Sequence, residues 1–171
     1  SIPTHTNSRA ARPTVAVQGL GFVGAAMATA VADARDSAGA PIFDVIGIDL
    51  PNPEVEARTR ALNEGRFPIG GEDEALIAAV AKAHCTGNLR ASTDAASFAE
   101  ADVVLIDVNL DIAFTPDGVP TVPMDRFREA VATVGRHLRP DGLVIVETTV
   151  PPGTCAQVVA PTLADALRSR G

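Results

Sequence analysis

The stretch Val15-Ala-Val-Gln-Gly-Leu-Gly-Phe-Val-Gly24, followed by an alanine-rich run, decides how this chain is read. A short apolar strand breaks into Gly19-x-Gly21-x-x-Gly24 and then into a helix. Each glycine has its own physical task. Gly19 permits the tight turn out of the strand. Gly21 lets backbone approach a pyrophosphate with no Cβ in the way, and Gly24 lets the helix pack closely on the sheet. The amides and positive dipole end of that helix then favour phosphate charge. The same triplet also suits a strand-to-helix turn that binds nothing. The strand, the helix and an acid further along favour a dinucleotide site.

Outward from this stretch, strands and helices alternate. Thr14–Gln18 is the first strand and Phe22–Arg35 the first helix, with Val23, Met27, Val31 and Ala34 on its inner face. A loop at 36–41 leads to the strand Phe43–Asp49. Asn52 caps, and Pro53 starts, a helix that runs to Asn63 and stops at Gly65. Glu72–His84 is an amphipathic helix with Leu76, Ile77, Val80 and Ala81 inward. Leu89–Ser92 is the third strand, and Thr93 or Asp94 caps a brief helix to Ala99. Asp102–Val108 is a continuous apolar strand of the parallel, doubly covered kind. Residues 109–123 read as a loop, Met124–Leu138 as a helix with Phe127, Ala130, Val131 and Val134 inward, and Leu143–Glu147 as the fifth strand. Thr154 caps the last helix, in which Pro161 kinks or restarts the turn.

This order implies an α/β fold: a Rossmann-type doubly wound parallel sheet in three layers, strand order 3-2-1-4-5. The ligand crevice falls at the carboxyl ends of strands one and four. Residues 1–12 read as a flexible tail and 13–171 as one domain.

Composition narrows the partners. A formal charge of −7 argues against a nucleic-acid backbone. It leaves a phosphorylated small ligand open, because backbone amides bind phosphate without net positive charge. Cys85 and Cys155 lie far apart and form no C-x-x-C pair, which argues against a disulfide framework and makes a reducing cytoplasm the expectation. His5, His84 and His137 lack metal-ligand spacing, so no metal is expected. No apolar run reaches the ~18 residues of a membrane span, and Ser1–Arg12 has no secretory core.

Asp49, at the end of the second strand, is placed to hydrogen-bond a ribose diol and repel a 2′-phosphate. No Arg follows it within five residues, which favours NAD over NADP. An acid there can also simply cap the next turn. The second cluster is Glu147-Thr-Thr-Val-Pro-Pro-Gly-Thr154, which brings hydroxyls and a rigid Pro-Pro to the crevice edge. Composition alone leaves it open as an ordinary strand-to-helix connection.

With these residues the chain resembles the N-terminal, NAD-binding domain of the UDP-glucose/GDP-mannose dehydrogenase family. The resemblance runs from Pro13 to the end. It includes Gly-Leu-Gly-Phe-Val-Gly at 19–24, Val-Ile-Gly-Ile-Asp at 45–49 and Leu62-Asn-Glu-Gly-Arg-Phe-Pro-Ile69. It continues with Leu89-Arg-Ala-Ser-Thr-Asp94, Ala101-Asp-Val-Val-Leu-Ile and, most specific, Glu147-Thr-Thr-Val-Pro-Pro-Gly-Thr. The resemblance implies that Gly19, Gly21, Phe22, Val23, Gly24 and Asp49 bind NAD and that Val108 and Asn109 line the nicotinamide side. Thr149 touches the cofactor and helps place a catalytic water, and Thr148 stands where the family often has Ser. It also implies oxidation of the C6 alcohol of a UDP- or GDP-sugar to the uronate by two hydride transfers to NAD. A role in polysaccharide biosynthesis and a homodimer in the full-length enzyme go with it.

Two departures stand against the family pattern. Where the family has Val-x-Thr-Pro, this chain has Val108-Asn-Leu-Asp111, with a Thr115-Pro116 pair further on. The family's catalytic Cys segment, its sixth strand and its nucleotide-sugar domain have no counterpart here, so the chain reads as the cofactor part of a larger enzyme. A non-catalytic nucleotide-binding or regulatory module, and a related hydroxyacid dehydrogenase domain, remain the alternatives. Cys155 reads as a small buried residue.

Overall fold

The structure, a computed structural model, describes residues 11–71 and 73–171. The elements are β1 (Thr14–Gln18), α1 (Phe22–Asp33), β2 (Asp44–Ile48), α2 (Pro53–Asn63), α3 (Glu74–Thr86), β3 (Leu89–Ser92), a 3-10 turn (Ala95–Glu100) and β4 (Val103–Ile106). A hairpin of β5 (Ala113–Phe114) and β6 (Pro120–Thr121) follows. The chain ends with α4 (Asp125–His137), β7 (Leu143–Val146), a π turn (Cys155–Val159) and α5 (Ala160–Ser169). The five-stranded sheet has the order β3-β2-β1-β4-β7 and is parallel throughout. With β7 as the fifth strand, this is the expected 3-2-1-4-5 arrangement, and the Rossmann-type fold is as read.

Alternation along the strands divides the core. Val15, Val17 and Leu105 face α1 and α3, packing with Ala28, Ala32, Val80 and Leu62. Ala16, Ile46, Val104 and Ile106 face α4, packing with Phe98, Phe127, Val131 and Val134. The inward residues of α4 are those expected. Those of α1 are not: the buried stripe is Gly24, Ala25, Ala28, Thr29 and Ala32, while Val23 is exposed. Small residues let α1 lie close on the sheet, and Met27 and Val31 pack at its flanks. In α3, Val80 and Ala83 are buried and Ile77 is exposed, a rotation of the expected face.

Capping follows the sequence at several ends. Asn52 Oδ1 accepts from Val55 N–H, and Asp94, rather than Thr93, caps the 3-10 turn through Ala96 N–H. Asn63 holds the outer edge of β3 by accepting from Ala91 N–H (2.7 Å) and donating to its carbonyl (3.0 Å). Thr154 does not cap the last helix; its hydroxyl donates to Pro151 O instead. Pro161 restarts that helix as expected. Lacking an N–H and crowding the carbonyl four residues back, it sits just after a π turn in which Ala160 N–H reaches Cys155 O. The expected 109–123 loop contains the β5–β6 hairpin. The expected tail lies outside the described residues except for 11 and 12, and Arg12 is paired with Asp44. Cys85 and Cys155 are both free and exposed, so Cys155 is not the buried residue expected.

Candidate functional site

The glycine bend shows which of its glycines the fold itself requires. Gly19 leaves β1 with φ +99°, and a Cβ there would lie 2.2 Å from the carbonyl oxygen of Asp107. At Gly24 a Cβ would lie 1.9 Å from the carbonyl oxygen of Gly19. Both are compelled by the close seating of α1 on the ends of β1 and β4. Gly21 differs. Its backbone is ordinary extended chain (φ −66°, ψ −175°), and a Cβ there would meet nothing within 4 Å. Neither conformation nor packing requires a glycine at 21.

The start of α1 is equally open. No side chain caps it, and its first turn carries no acid, so its first amides have no side-chain partner. Phe22 and Val23 are exposed despite being apolar. Phe22 packs edge-to-face on Phe67 (centroids 5.9 Å, 81°), which ties the loop after α2 to the helix start. The bend is therefore not plugged by side chains.

Asp49 turns toward this bend. Its Oδ2 accepts from Leu20 N–H (2.8 Å) and its Oδ1 from Leu50 N–H (2.7 Å), while Arg58 donates to Leu20 O (3.3 Å). Each carboxylate oxygen keeps a lone pair for a ligand hydroxyl. Asp49 rims a cavity of about 430 Å³ that is also lined by Leu50, Asn52, Thr93, Phe98 and Val108. Its apolar wall and polar rim suit a flat heterocycle carrying a sugar.

Across the crevice, Thr148 stitches the ends of β4 and β7. Its Oγ1 accepts from Val108 N–H (3.0 Å) and lies in donating range of the carbonyls of Val108 (3.0 Å) and Ile106 (3.3 Å). Thr149 and Asn109 are exposed at the same edge. Leu110 packs into the α4-side core and Asp111 is exposed. Thr115 and Pro116 belong to the hairpin turn, where Thr115 Oγ1 accepts from Val119 N–H, so that pair does not stand at the end of β4. Gly19, Gly21, Phe22, Val23, Gly24, Asp49, Val108, Asn109, Thr148 and Thr149 all follow the carboxyl ends of β1, β2, β4 and β7, and share one edge of the sheet.

Two residues at this edge escape the sequence reading. Gln18 is buried at the end of β1, donates from Nε2 to Ala130 O (3.0 Å) and lines the cavity. Asp107 follows β4 on the α1 side. Burial pushes its carboxyl above its ordinary value, and the charge of Glu147 pushes it further. A polar residue closing an apolar strand was the available signal for each. Among the described residues no His, Cys, Asp or Glu cluster suits a metal, and no helix is long and apolar enough to cross a membrane.

Comparison with known proteins gives the family. Residues 13–170 match the model of the UDP-glucose/GDP-mannose dehydrogenase family, NAD binding domain. GDP-mannose 6-dehydrogenase of Pseudomonas syringae pv. tomato is 31% identical over 155 residues, covering 88% of this chain and 32% of the relative. UDP-N-acetyl-D-mannosamine dehydrogenase of Methanocaldococcus jannaschii is 30% identical over 140 residues, covering 82% and 29%. The crystal structure of NDP-N-acetyl-D-galactosaminuronic acid dehydrogenase from Methanosarcina mazei Go1 superposes with a TM-score of 0.78 at 26% identity, over 92% of this chain and 32% of that one. The chain thus spans about a third of the length of the curated relatives it matches. With the unplugged glycine bend and the carboxylate beside it, the match over 13–170 shows that this chain belongs to the UDP-glucose/GDP-mannose dehydrogenase family and constitutes its NAD-binding domain.

Proposed function

We propose that the chain is the cofactor-holding part of an enzyme that oxidises the C6 alcohol of a UDP- or GDP-sugar to the uronate, within cytoplasmic polysaccharide biosynthesis. The observation that carries the cofactor half of this reading is Gly21. Its absent Cβ leaves a cradle that the fold does not need and that a diphosphate fills. The amides at the start of α1 hold that diphosphate. Asp49 accepts from the adenosine ribose hydroxyls while keeping its bond to Leu20 N–H, so the same carboxylate aligns the bend and reads the sugar. A 2′-phosphate would meet that charge directly, which sets NAD above NADP. Leu50, Thr93 and Phe98 line the cavity that would receive the adenine.

NAD bound here supplies the hydride acceptor. Thr148 keeps Val108 in place at the β4 edge and Thr149 presents a hydroxyl beside it, where it orients a water without ionising. Val108 and Asn109 form the wall on the nicotinamide side. The relatives named for GDP-mannose and UDP-N-acetyl-D-mannosamine support a nucleotide sugar as substrate. The chain's own residues do not choose between the two nucleotides. A homodimer of the whole enzyme is part of the proposal.

Calorimetry of the chain with NAD and NADP tests the cofactor assignment: NAD alone should give a saturable heat. Equal binding of both removes the role of Asp49, and heat from neither removes the assignment. For the substrate, the enzyme carrying this domain should release two NADH per sugar with a UDP- or GDP-sugar. NADH release with hydroxyacids instead would favour the other dehydrogenase class.

A further inference from the structure

Asp107 has no part in the site as described so far, yet it lies directly beneath it. In the register of the sheet it follows Ile106, pairs laterally with the position of Glu147, and points to the α1 side. Its carbonyl oxygen is the atom a Cβ at Gly19 would strike. Its side-chain Oδ2 lies 3.3 Å from where a Cβ at Gly24 would be, against the first turn of α1. That Oδ2 is buried and has no hydrogen-bond partner.

The side-chain charge that acts on it is negative. From β7 the facing group is Glu147; from α1 there is no charged residue in the first turn, only the positive end of the helix. From β2, Asp49 spends its carboxylate on Leu20 and Leu50 N–H, and from α2, Arg58 is engaged with Leu20 O and Glu54. No side-chain cation pairs with Asp107 among the described residues. Burial first, and Glu147 second, already raise its proton affinity.

We propose that Asp107 is a charge-selecting residue of the diphosphate seat: it opposes each negative charge placed on the start of α1, so that cofactor binding is coupled to proton uptake at its carboxyl. The proposal rests on the NAD-binding reading and deepens it. The positive helix end is shared between two claimants, an internal carboxylate and the incoming diphosphate. The strand end that carries the carboxylate is held by the Val108 N–H bond to Thr148, which keeps Asp107 at the foot of α1. Protonation removes the competition. At the full screening of water, a carboxylate needs to stand within about 6 Å of a doubly charged diphosphate to weaken its binding about tenfold. The linkage follows in sign. Bound diphosphate makes the carboxylate less favourable, so the complex holds the proton to higher pH than the free chain, and NAD affinity falls as pH rises between those two values.

The experiment is calorimetry of the chain with NAD, ADP-ribose and adenosine from pH 5 to 9, in buffers of different ionisation enthalpy, for wild type, Asp107→Asn and Asp107→Ala. The expected result has three parts. Wild type takes up protons with NAD and ADP-ribose. Both variants bind these two ligands about tenfold tighter than wild type at pH 8, and the advantage does not grow as pH falls. Adenosine, which carries no phosphate, binds all three proteins alike at every pH. Wild-type affinity or weaker binding in both variants at pH 8 overturns the proposal, as does an equal gain for adenosine, which would mark a merely structural effect. Failure of every protein to bind NAD at any pH is a different pattern: it overturns the cofactor reading and this proposal with it.

Discussion

Replacing Gly21 by alanine separates a glycine kept for a ligand from a glycine kept for the fold. At Gly24 the added Cβ would lie 1.9 Å from Gly19 O and 2.9 Å from Gly19 C, both backbone atoms. Relief requires α1 to lift from the strand ends, so Gly24→Ala should cost at least the 1–3 kcal/mol of an overpacked core, and about 2–4 °C of melting temperature per kcal/mol in a chain of this size. At Gly21 the Cβ meets nothing within 4 Å and the backbone is ordinary. Gly21→Ala should therefore stay within about 1 kcal/mol of wild-type stability, since alanine narrows the unfolded chain but is a poorer N-cap than glycine. Its effect on NAD should be opposite. A methyl where the diphosphate touches backbone pushes that group off its amides; losing even one charge-assisted hydrogen bond costs about 1.5–3 kcal/mol, tenfold to more than a hundredfold in affinity. Urea unfolding and NAD calorimetry on the two variants read both quantities. Gly21→Ala that binds NAD like wild type, or that unfolds as readily as Gly24→Ala, refutes the reasoning.

Three further outcomes are expected. Asp49→Asn keeps an acceptor for Leu20 N–H but loses the charge, so NAD affinity should fall by about 1.5–3 kcal/mol with the fold intact, as calorimetry beside circular dichroism would show. Asp107→Asn should raise stability at pH 7 but not near pH 3. The carboxyl's proton affinity is raised in the folded state, so the unfolded chain binds fewer protons between the two values. The Asp107 penalty is then full above the folded value and absent below the unfolded one, and melting curves across pH check it. Thr148→Val removes the acceptor of Val108 N–H and should destabilise by about 1–3 kcal/mol, measured by urea unfolding, while Thr149→Ala leaves stability within about 0.5 kcal/mol.

The parts of this molecule legible in its sequence are those whose physics is local. Strands with apolar runs, helices with caps at Asn52 and Asp94, and the glycine bend all announce themselves within a few residues, and parallel connectivity then leaves little choice of strand order. Asp49 was readable because it ends a strand, although its bond to Leu20 N–H needed the fold to bring 20 and 49 together. The inner face of α1 was misread because large apolar residues were assumed to point inward, whereas close seating on the sheet selects Gly24, Ala25, Ala28 and Ala32 and leaves Val23 outside. The β5–β6 hairpin was hidden because its strands have two residues each, too short for alternation to register. Thr148 as a stitch, Gln18 as a tether to α4 and Asp107 under the bend depend on neighbours 40, 112 and more than 80 residues away in the chain. No local pattern encodes those pairings.

The most direct measurement of the central claim is an amide-resolved NMR titration of the chain with NAD. The account predicts saturable shifts concentrated on the amides of residues 19–24 and on those flanking Asp49, with the outer face of α4 and α5 unmoved. Shifts absent from the glycine bend, or centred elsewhere on the molecule, contradict it.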